Sequence, residues 1–72
     1  MIEDWYEIWV DETPNIPYIL LLAPNASKKG EFIIINVIEN NRIVETFSNY
    51  ELAELWLDED EYVLVSGRMS LN

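Results

Sequence analysis

Apolar and polar positions along residues 3–10 repeat with a period of two. Tyr6, Ile8 and Val10 fall on one face of an extended chain, and Trp5, Glu7 and Trp9 on the other. Aromatic and β-branched side chains suit a pleated surface, so this segment reads as a strand. Asp11, Glu12, Thr13, Pro14 and Asn15 then break the pattern as a turn, because Pro14 has no N–H to offer a ladder. Residues 18–23 are apolar on both faces, as a central strand requires. Pro24 stops that run, and residues 25–30 form an exposed loop.

Residues 31–38 carry the densest β-branched stretch, with Phe32, Ile33, Ile34, Ile35, Val37 and Ile38. Asn40 and Asn41 tolerate the positive φ of a type I′ turn, which predicts a two-residue hairpin. That hairpin pairs Glu39 with Arg42, Ile38 with Ile43, Val37 with Val44, Asn36 with Glu45 and Ile34 with Phe47. Polar residues then meet one another across the strands. Ser48 and Glu51 have capping-box spacing, which predicts a helix over 49–57 with Ser48 as its N-cap. Leu52, Leu55 and Trp56 form its apolar stripe, widened by Ala53 and Leu57. Four consecutive acids, Asp58, Glu59, Asp60 and Glu61, oppose the negative end of the helix dipole and stop it near Asp58. Residues 62–66 read as a last strand and 67–72 as a tail.

The order β-β-β-β-α-β makes the first four strands an antiparallel meander, since their connections are short. The helix returns the chain across one face, and the fifth strand lies beside the first in the order 5-1-2-3-4. The expected class is α+β: an antiparallel four- to five-stranded sheet with one helix packed on one face, over a single domain of residues 1–72.

Charge narrows the choice of function. The chain has fourteen Asp and Glu against four Lys and Arg, a net charge of −10, and neither His nor Cys. The side chains that carry most nucleophilic, acid–base and zinc chemistry near neutral pH are therefore missing. Such a charge also opposes direct contact with nucleic acid. Half of the residues are apolar, which places the acids on the surface of a folded domain rather than in a disordered tail. A domain of this size hides only about 60% of the surface its unfolded chain exposes. With no disulfide to assist, a dense core or self-association must stabilise it. The N-terminus is acidic where a secretory signal needs basic residues, and the apolar stretch 16–23 falls short of the ~20 residues of a membrane helix. A cytoplasmic protein without membrane contact is the expectation.

Few constellations carry chemistry. The run 58–61 could offer oxygens to Ca²⁺, but an apolar strand follows where an EF-hand loop places its remaining ligands, so a solvated loop is the preferred reading. Fourteen acids will produce some carboxylate pair at glycosidase spacing by chance, and the chain is too short to wall a cleft beside a core. Ser27 beside Lys28 and Lys29 in an exposed loop lacks the buried pocket that activates a lysine. Gly30 and Gly67 cannot make a phosphate loop. A non-enzymatic protein with no cofactor and no metal is expected.

Trp5 and Trp9 share a strand face about 13 Å apart. If Tyr6, Ile8 and Val10 cover the core, the tryptophans stand outside with Glu7 between them, as a contact surface. In the opposite orientation they pack beneath the helix against Leu52 and Trp56, which the usual burial of large aromatics favours. Either way one apolar sheet face has no helix. The expected function is a small acidic protein-interaction or regulatory domain. Its expected contact residues are Trp5, Glu7, Trp9, Asp58, Glu59, Asp60 and Glu61, and its partner is another protein with a basic or apolar surface or a second copy of the chain. The alternative is an acidic mimic of nucleic acid, or a toxin inhibitor, that occupies a basic partner.

Overall fold

The computed structural model describes residues 4–65 and 67–71. Residues 1–3, 66 and 72 lie outside it, and with them Glu3 at the expected start of the first strand, Ser66 at the end of the last, and Asn72 in the tail. Four strands run first: β1 (Trp5–Asp11), β2 (Tyr18–Pro24), β3 (Phe32–Asn36) and β4 (Arg42–Phe47). The helix α1 (Tyr50–Glu59) follows, then the short strands β5 (Val63–Leu64) and β6 (Met69–Ser70). All pairings are antiparallel, and the sheet order is β4-β3-β2-β1-β5, with β6 also on β1. This is the α+β class and the strand order that the short connections imply.

The tail differs from expectation. Residues 69–70 add a strand opposite Trp5 and Tyr6, beyond the end of β5, so one long strand is flanked by two short ones. Backbone bonds extend both pairings, from Val65 N–H to Ile8 C=O at 2.9 Å and from Leu71 N–H to Asp4 C=O at 2.8 Å.

The β3–β4 connection keeps the positive φ of its two asparagines, but it is five residues long instead of two, and the register changes. Asn40 and Asn41 have φ of 63° and 61°, as a type I′ turn needs. The ladder, however, resumes only at Asn36 opposite Arg42, and Ile34 faces Glu45 and Phe32 faces Phe47. Asn36 Oδ1 accepts from the N–H groups of Ile38 and Glu39 at 3.0 and 3.3 Å, which bends the chain out of the strand two residues early. A register shift between Ile34 and Ile35 absorbs the mismatch. The Glu39–Arg42 ion pair survives inside the turn, at 2.6 Å.

The helix cap also moves by one residue. Asn49, with extended backbone, is the N-cap, and its Oδ1 accepts from Leu52 N–H at 2.9 Å. The buried stripe is Ala53 and Leu57, while Leu52 and Leu55 are exposed. Ala53 and Leu57 close a core with Trp9, Leu20, Leu22 and Ile34. At the other end Tyr62 N–H bonds to Leu57 C=O at 2.9 Å and Glu61 N–H to Asp58 C=O at 3.0 Å. With Glu61 at φ 66°, this is a Schellman cap whose left-handed position, usually glycine, holds an acid.

Candidate functional site

Residues directly opposite in an antiparallel ladder share a face, so the registers divide the sheet into two sides. The helix side carries Trp5, Glu7 and Trp9 from β1, with Leu20 and Leu22 beside them. Glu7 and Trp9 are each only 3% exposed. The tryptophan face therefore turns inward, and Glu7 and Trp9 cannot serve as contact residues for a partner. Trp9 packs beneath the helix as expected, in the core with Ala53 and Leu57 and with Trp56 against the same cluster, while Leu52 is exposed. Trp5 lies against Phe32 and Tyr50, with ring centroids 6.2 Å apart in each case, while Trp56 pairs with Phe47 at 6.1 Å.

A buried carboxylate is tolerable only when hydrogen bonds replace its water. Glu7 receives three donor groups. Trp9 Nε1–H donates at 3.1 Å, the Tyr50 hydroxyl lies 2.8 and 2.9 Å from the two carboxylate oxygens, and Arg68 donates from Nε and Nη2 at 3.3 and 3.2 Å. Arg68 also lies 3.6 Å over the Trp5 ring, a cation–π contact. Burial, then the bond to Glu7, pushes the Tyr50 phenol up to about 12. Its donors all point at one carboxylate. It ties β6 and α1 to β1. Sequence reasoning missed Tyr50 and Arg68, although a lone carboxylate between two tryptophans signals that partners must arrive from elsewhere.

The opposite side is the more informative one. Ile8 faces Leu21 and Val10 faces Ile19. Leu21 then faces Ile35, and Ala23 faces Ile33. At the margins Ile35 meets Ile43, Ile33 meets Thr46, Val10 meets Val63 and Tyr6 meets Met69. The paired positions on this side contain no charged residue. Among the described residues no helix or strand lies over it. Its centre is buried at Ala23, Ile33 and Ile35, while its margins are open: Ile43 is 54% exposed, Val63 63% and Val65 53%.

The run Asp58, Glu59, Asp60 and Glu61 is exposed at the end of α1 and in its cap. Among the described residues no three His, Cys, Asp or Glu converge as a metal would require. Lys28 is held by Glu31 at 3.1 Å, and Ser27 beside it is exposed. A depression of about 710 Å³ includes Ile16, Tyr18, Ile38 and Tyr62 in its walls and opens to solvent. Of its polar members, Asn36 is engaged in the turn and Glu39 with Arg42. Burial, with Asp11 and Asp60 nearby, raises the Tyr62 phenol, as a half-buried structural tyrosine does. Among the described residues no helix is long and apolar enough to cross a membrane. Compared with known proteins, the chain matches no family model, no curated protein and no solved structure.

Proposed function

We propose that this domain is a non-enzymatic interaction module that docks through the sheet face its helix leaves bare. One observation carries the reading: in a chain with fourteen acids, none of the described ones occupies a paired position on that face. Charge on a solvated sheet face is inexpensive and aids solubility. A face of β-branched and aliphatic side chains with exposed margins is the composition of an interface core. Photo-crosslinking tests it. A benzophenone amino acid replacing Val63 or Ile43 should give covalent adducts with a specific protein, while one replacing Leu55 on the helix side should give none. Adducts confined to the Leu55 position would sink the reading.

A second reading has its own support. Glu51, Glu54, Asp58, Glu59, Asp60 and Glu61 crowd the helix and its cap, no basic residue sits in the last turn, and an acid occupies the left-handed cap position. An acidic inhibitor or nucleic-acid mimic uses such a surface to engage a basic protein. Ionic strength separates the two. Affinity through the acidic surface falls steeply as salt rises, whereas affinity through the bare face stays nearly level.

A further inference from the structure

We infer that the occupant of the bare face is a second copy of the chain, packed sheet on sheet about a two-fold axis. The inference rests on the interaction reading above and names its partner. A two-fold interface sets each surface patch against its own duplicate, so any charge near the axis would meet a like charge. The paired positions of this face contain none. A basic partner, which the net charge of −10 would otherwise attract, finds no carboxylate there to pair with.

Two sheets packed face to face sit about 10 Å apart, with strands crossing near −30°. Each helix lies behind its own sheet, so the six acids of α1 and its cap point outward on opposite sides, farther apart than the ~8 Å screening length at physiological salt. Repulsion between the two helix layers is therefore weak, and Asp4, Glu12, Glu31 and Glu39 stay in the loops around the sheet.

Area fits a weak, reversible dimer. The strands hold 29 residues, and at ~4.8 Å by ~3.4 Å each they give a footprint on the order of 470 Å². Two copies then remove at most on the order of 950 Å², just under the range of specific stable interfaces. Val63, Val65 and Ile43, at 63%, 53% and 54% exposed, supply margins that a second sheet would cover. Association is also one of the few ways a cysteine-free domain of this size can add to its core.

Sedimentation equilibrium on the full chain, from about 1 to 500 µM, tests the inference. The unmodified chain should fit a monomer–dimer equilibrium whose constant changes less than about threefold between 0.05 and 0.5 M NaCl. Val63→Lys and Ile43→Lys, each at a side chain already exposed in the monomer, should weaken the dimer at least tenfold with unchanged circular dichroism. Leu55→Lys, equally exposed on the helix side, should leave it intact. A strict monomer at 500 µM overturns the inference, and so does equal dissociation by Leu55→Lys. A monomer that still yields heterologous adducts at Val63 overturns the second copy alone. Adducts only at Leu55 overturn the interaction reading itself.

Discussion

At the scale of single residues, Glu7 is where the local pattern and the fold disagree most. A carboxylate in an otherwise apolar face has the strongest claim to solvent, yet it is 3% exposed and holds the donors of Trp9, Tyr50 and Arg68. Its partners lie 43 and 61 positions away in the chain, which is why no local reading could pair them. Tyr50→Phe keeps the ring contacts with Trp5 and Phe32 but removes one bond to a charged acceptor. It should cost about 1.5–3 kcal/mol in urea denaturation. The pH dependence follows with a definite sign. The Tyr50 phenol is raised to about 12, above the ~10 of an unfolded tyrosine, so the folded state holds its proton more tightly. That stabilisation is complete below pH ~10 and disappears as pH climbs towards 12. Alkaline denaturation should be shallower in Tyr50→Phe than in the parent. Identical alkaline profiles would show that this hydroxyl does not couple to folding.

At the scale of elements, strands were easier to read than their registers. Period-two alternation and unbroken apolar runs located β1 to β4 within a residue or two, because those signals are local. The β3–β4 register depended on where the ladder closes. Asn36 moved that point by turning its side chain onto the backbone of Ile38 and Glu39. The strand β6 was invisible for another reason: two residues are too few for any periodicity, and Arg68, beside it, reveals its place only through Glu7. Helix ends follow the same logic. Ser48 and Asn49 are both good caps, and the sequence cannot choose between adjacent candidates when each has its oxygen at the right distance. The structure assigns Asn49, through the bond to Leu52 N–H. Asn49→Ala should therefore lower stability by about 1 kcal/mol, while Ser48→Ala should be nearly neutral. Thermal melts of the two variants decide it, and a larger loss from Ser48→Ala would return the cap to the serine.

At the scale of the whole molecule, the strand order was legible because short connections leave few alternatives, but the sidedness of the sheet was not. Both faces of β1 are apolar, so the pattern permits the helix on either. The choice is made by Ala53 and Leu57 packing onto Trp9, Leu20 and Leu22, a contact between distant segments. Once that side is taken, charge sorts itself: acids on the helix layer and loops, none at the paired positions of the bare face. The cost of this arrangement is repulsion within the acidic layer. Lys28 is paired with Glu31 and Arg42 with Glu39, away from the helix, and Arg68 is held by Glu7 beside Tyr50, so none of these three pairs with the six acids between Glu51 and Glu61. Salt should therefore stabilise the fold. Raising NaCl from 0.01 to 0.15 M shortens the screening length from about 30 to 8 Å. Relief of about 1 kcal/mol would raise Tm by ~4–8 °C for a domain of this size. Protein concentration must be held fixed, since association also moves Tm. Glu59→Lys combined with Asp60→Lys should start from a higher Tm at low salt and lose most of the salt slope. If the double variant keeps the slope of the parent, the repulsion lies elsewhere and the helix layer is not the charged region that limits stability.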